Sequence, residues 1–102
     1  MVREYVYVKI LFYDKGQGIR HKPPNLSNYK YRPHFLVKGD NEYLGVQFLD
    51  GETVVLGKPV LATAQLVYEQ VDYTPLVEGA EFFVVEGANK VGEGIVLKKY
   101  CV

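Results

Sequence analysis

The chain has 102 residues, enough for one domain with one core and too few for two ordinary ones, so the expected unit is a single domain over residues 1–102. Hydrophobic residues make up 48% and charged residues 24%, the proportions of a folded globular protein, which excludes a disordered polar segment. The 12 basic and 12 acidic residues cancel, and no apolar run is long enough to span a membrane, so neither a uniformly basic binder nor a membrane protein is expected.

The first element is a strand. In "EYVYVKILFY" Val6, Val8, Ile10 and Phe12 alternate with Tyr5, Tyr7, Lys9, Leu11 and Tyr13, and the wholly apolar set is expected to face the core. "MVREYVYVKI" lacks the small-residue cleavage site of a signal peptide, and a lone Cys101 has no internal disulfide partner; both fit a reducing cytosol, and a cytoplasmic protein is expected. "DKGQG" ends the strand in a turn, where Gly16 and Gly18 supply positive φ.

There follows "RHKPPNLSNYKYRPHF", residues 20–35, which keeps neither a helical nor a strand period for most of its length. Residues 15–38 carry Lys15, Arg20, Lys22, Lys30, Arg32 and Lys38 with no acidic residue among them, and His21 and His34 lie in the same stretch. Half the basic residues thus fall in one segment, leaving six against 12 acids elsewhere, and a fold that keeps the segment together has a positive pole suited to an acidic protein face or a polyanion.

"HFLV" resumes extended structure, with Pro33 expected at a strand start or edge because it lacks an N–H. "NEYLGVQFL" and "ETVVL" flank Asp50 and Gly51, a hairpin signal. "PVLATAQLVYEQV" alternates over 13 residues, with Val60, Ala62, Ala64, Leu66 and Tyr68 expected inward. "AEFFVVE" and "KVGEGIVLKKY" form the last pair, joined around "GAN". Gly92 and Gly94 fall on one face there, as in the tight coiling of a small barrel. Short strands with turns at regular spacing and no helical repeat predict an all-β sandwich or barrel.

Catalytic patterns are missing. Pro59 follows Gly57 and Lys58 where a P-loop needs Ser or Thr, so no nucleotide cofactor is expected, and Asn89 and Lys90 lack the aspartate that reads guanine. Ser27 between His21 and His34 is a weak triad fragment, two histidines and one distant cysteine are a poor metal set, and Glu86 and Glu93 are expected to face solvent around a turn. No enzyme, metal or cofactor is expected.

Four stretches in register, "DKGQGIRHKP", "YRPHF", "VVLGKPVLATAQL" and "EGAEFFVVEGANKVGEGIV", resemble the C-terminal (third) domain of elongation factor Tu over about residues 4 to 100. The resemblance implies a closed antiparallel six-stranded β-barrel without catalytic activity. In that family the domain helps bind the T-stem backbone of aminoacyl-tRNA, packs on the GTPase domain and contacts the exchange factor. Arg20 and His21 match the family's tRNA-facing pair. Tyr31, Arg32 and Pro33 match the motif near the GTPase-domain interface, Gly87 the turn approaching the tRNA backbone, and Gly92 and Gly94 the small-residue packing. The sequence departs from the pattern at His34 (glutamine in the family), Val85 (arginine), Pro24 and Asn25 (two phenylalanines), Asn89 and Lys90, and in "GDNEYLG". The 102 residues hold neither the GTPase nor the second domain, and Met1 directly before the first strand fits a freestanding chain.

The leading expectation is a non-catalytic module that binds a protein partner, of the translation apparatus or otherwise, through the basic loop 15–38. Its candidate residues are Arg20, His21, Lys22, Tyr29, Lys30, Tyr31, Arg32, His34 and Gly87. The alternative is weak binding of tRNA or another RNA helix through its phosphates by the same cations. Arg32 suits a structural role equally, as a guanidinium holding loop carbonyls, and so does the pair Arg20 and His21, whereas Tyr29 and Tyr31 are more often packing rings than base-stacking platforms.

Overall fold

The structure, a computed structural model, describes residues 3–14 and 22–102. Six strands form one closed barrel: β1 (Glu4–Phe12), β2 (His34–Val37), β3 (Leu44–Gly51), β4 (Pro59–Leu66), β5 (Glu81–Glu86) and β6 (Asn89–Cys101). They are neighbours in the order β1-β4-β3-β2-β5-β6, every pair is antiparallel, and β6 closes back on β1. The all-β class and the closed six-stranded barrel are as expected. Among the described residues no helix is long and apolar enough to cross a membrane.

Alternation builds the interior. Val6, Val8, Ile10 and Phe12 are all fully buried and meet Phe35, Val46, Phe48, Ala64, Phe82 and Val84 in one continuous core. Phe35 lies at its centre, stacked on Phe82 at 4.1 Å and edge-on to Phe48 at 5.9 Å. Gly92 and Gly94 fall on one face, as expected, and that face is the inner one, opposite Phe12 and Ile10 of β1. A Cβ on either would fall 2.6 Å from a β1 carbonyl oxygen, that of Leu11 or Lys9, so only glycine lets β6 lie this close. Register shifts on β3, on β6 beside Tyr7, and between β5 and β6 add the bends that a small barrel needs.

Three expectations need correction. Residues 52–56 form no strand; β3 itself runs through Asp50 and Gly51, and an irregular segment leads to β4, which pairs with it. Gly51 serves packing rather than a tight turn, since a Cβ there would fall 2.8 Å from Leu26 Cβ and 2.9 Å from Ala62 Cβ. The fourth strand ends at Leu66 instead of continuing to Val71, and Tyr68 does not point inward. Its ring lies on Gly45 from outside, where a Cβ would clash. Tyr73 takes the interior place instead: its hydroxyl donates to Gly45 O at 2.5 Å and accepts from Tyr68 N–H at 3.2 Å, closing the barrel end at which β3 begins.

Candidate binding surface

The basic arm is held to the barrel by its apolar and aromatic members. Pro24 and Leu26 are buried, and Ser27 Oγ donates to Gly51 O at 3.1 Å. Asn25 Oδ1 accepts Ser27 N–H at 2.8 Å and Asn28 Oδ1 accepts Lys30 N–H at 3.1 Å, so two asparagines shape the turns where no strand period can act. Tyr31 stacks on Phe48 at 5.6 Å, tilts against Phe12 at 6.0 Å, and donates its hydroxyl to Glu86 Oε2 at 2.5 Å.

From Tyr31 onward the arm continues the sheet. Tyr31 O accepts from Phe48 N–H and Pro33 O from Val46 N–H, which places Pro33 just before β2, as expected of a residue without a donor. The resulting alternation buries Pro33 and Phe35 and turns Arg32 and His34 outward, on the same face and about 7 Å apart along the strand. His34 lies opposite Gly45 and Val85, with its ring tilted against Tyr43 at 6.1 Å.

Tyr29 is the arm's outlier. Its φ is +63°, its side chain is 60% exposed, and Gln47 Nε2 donates to its carbonyl at 2.8 Å. Left-handed backbone costs a residue with a Cβ about 1–2 kcal/mol, and here Asn28 and Gln47 hold it in place.

Of the sequence-derived candidates, Lys22, Tyr29, Lys30, Arg32 and His34 are exposed on or beside the arm, and Tyr31 is its half-buried anchor. Gly87 is exposed at φ +59° in the β5–β6 turn, which the bond from Tyr31 to Glu86 brings beside the arm. Arg20 and His21 lie outside the described residues. Lys38, the last cation of the basic segment, points elsewhere: it sits between Glu81 at 3.6 Å and Glu93 at 3.7 Å, near the ring of Phe83.

Sequence reasoning missed four contributors. Glu86 is half-buried as the acceptor for Tyr31, and Glu93 likewise accepts Tyr13 Oη at 2.7 Å; neither simply faces solvent. Tyr43 flanks His34, and Gln47 fixes Tyr29. Only the placement of Gln47 on an outward position of β3 was available from the pattern. Beside the arm an open cleft of about 320 Å³ is walled by Pro24, Leu26, Glu52 and Val54. Among known proteins, no family model matches this chain and no curated sequence matches it significantly.

Proposed function

We propose that this chain is a non-catalytic binding module, akin to a standalone third domain of elongation factor Tu, that docks a protein partner through its basic arm. One observation carries the reading: the arm is fastened by Pro24, Leu26, Tyr31 and Pro33, while Lys30, Arg32, His34 and the ring of Tyr29 stand outward. Apolar side chains that could serve a partner are spent on the barrel, and the groups left over are the Tyr and Arg types from which interface hot spots are made. The resemblance in the motifs around Arg20 and Tyr31 supports the same surface, and the free Cys101 thiol fits a cytoplasmic setting.

A protein suits this surface better than a polyanion, because Glu86 adjoins the arm and Lys38 is turned away into carboxylates. RNA is the second reading, favoured by an exposed Tyr29 ring next to the exposed Lys30, an arrangement that suits stacking of a base beside its phosphate.

The test compares the wild-type chain with K30E/R32E, which changes two exposed side chains and leaves the anchors alone. After circular dichroism confirms equal folding, each is used to capture proteins from a cytosolic extract. Proteins held by the wild type and lost from the variant are expected; identical sets reject the proposal. A salt-sensitive anisotropy change with tRNA, abolished in K30E/R32E, transfers the arm to the RNA reading.

A further inference from the structure

The outer face of β6, β1, β4 and β3 meets the arm at Gln47, which lies beside Arg32 and holds the Tyr29 carbonyl, and has its own pattern. Lys98, Tyr7, Thr63 and Asp50 are register partners in one row across the four strands. The neighbouring row is uncharged, with Tyr100 stacked on Tyr5 at 5.5 Å, followed by Gln65 and Gln47. Positive charge stands at the β6 edge in Lys98 and on β1 in Lys9, and negative charge at the β3 edge in Asp50 and the adjoining Glu52, all exposed. Lys98 and Asp50 form no ion pair among the described residues.

Shape follows the same division. The register shift beside Tyr7 pushes Leu97 and Lys98 out together on β6, and Leu97 is 42% exposed. On the opposite side of Tyr7 an open cleft of about 300 Å³ is bounded by Thr63, Leu61, Asp50 and Glu52. The face thus offers a cationic knob at one edge and an acidic hollow at the other, with Tyr7, 36% exposed, between them.

We propose that this face is a homodimer surface whose occupant is a second copy of the chain. A two-fold axis along the strands, between β1 and β4, exchanges the two edges. Each copy's Lys98 then enters the cleft beside Asp50 and Glu52 of the other, and each Tyr7 crosses onto the opposing Thr63. A partner of a single sign is repelled by one edge, whereas a copy of the same face matches both; this is the self-complementarity that a two-fold interface requires. Adjacent strands are about 4.8 Å apart, so the rows span about 15 Å of a convex barrel, and the contact belongs with small, readily reversible interfaces.

Sedimentation equilibrium of the intact chain from micromolar to millimolar concentration tests this. The wild type is expected to dimerise reversibly and more weakly as salt is added. K98E and D50K, which set like charges against each other, each weaken the dimer about tenfold or more. An equimolar mixture of K98E and D50K recovers it, because the altered edges now match in both contacts, and a misfolded variant cannot produce that recovery. A wild type monomeric at millimolar concentration, a mixture that stays monomeric, or a dimer untouched by either change but lost in K30E/R32E overturns the proposal.

Discussion

Tyr13 stands just past β1, and its hydroxyl donates to Glu93 Oε1 at 2.7 Å. Burial first, then the hydrogen bond to Glu93 and its charge, push the phenol from 10 up to about 12. The folded state therefore holds this proton more tightly than the unfolded chain does. The resulting stabilisation is complete below pH 10 and is lost as pH rises through about 12. Tyr13→Phe is expected to cost about 1 kcal/mol at neutral pH, the value of one side-chain hydrogen bond. The difference in melting temperature between the two proteins should narrow between pH 10 and 12. A pH-independent difference would show that the hydroxyl does not act through Glu93. Sequence could place Tyr13 on the outward side of β1, but the partner is 80 positions away, and only the pairing of Leu11 with Glu93 brings the two together. The buried face of β1 was readable because alternation is local.

The arm shows how an element can be irregular in sequence and still firmly placed. Its holding contacts come from the barrel wall: Gly51 makes room for Leu26, Phe48 receives Tyr31, and Gln47 grips the Tyr29 carbonyl. None of these can be inferred from residues 22–33 alone, which is why the arm reads as a loop in sequence although the sheet hydrogen bonds already resume at Tyr31. The same blindness extended the fourth strand past Leu66, since alternation persists through Tyr68 and nothing local reveals the hollow that Gly45 leaves outside β3. Tyr29 separates holding from binding. Glycine adopts φ +63° without the Cβ penalty but loosens the unfolded chain, so Tyr29→Gly should stabilise the fold by about 0.5 kcal/mol. Urea unfolding measures this. If the same variant also loses the captured partner, the exposed ring is held under strain for recognition. Destabilisation beyond about 1 kcal/mol would instead make Tyr29 a packing residue.

For the whole molecule, closure depends on strands from opposite ends of the sequence. β1 is flanked by β4 and by β6, and at the seam Arg3 and Val102 exchange backbone hydrogen bonds of 3.2 and 2.9 Å. The glycines at 92 and 94 hinted at tight coiling, yet the strand order was not readable, because each strand's pattern marks its inner face and not its neighbour. The seam joins residues nearly a full chain length apart, so chain entropy opposes it until most other contacts exist, and folding in the millisecond-to-second range of non-local β proteins is expected. Removing residues 97–102 tests how far the barrel depends on this closure. The truncation deletes the Tyr5–Tyr100 stack, the bond from Lys99 Nζ to Tyr73 O at 2.9 Å, and every β6 partner of residues 4–7. It leaves that half of β1 as an open edge beside a core that Tyr73 no longer caps as firmly. Unpaired edges template association. The truncated chain is therefore expected to lose its cooperative thermal transition and to elute from size exclusion as polydisperse aggregates at any salt concentration, unlike the salt-sensitive dimer of the intact chain. A monomeric truncation with a sharp melt would mean that the remaining strands hold the barrel without the seam.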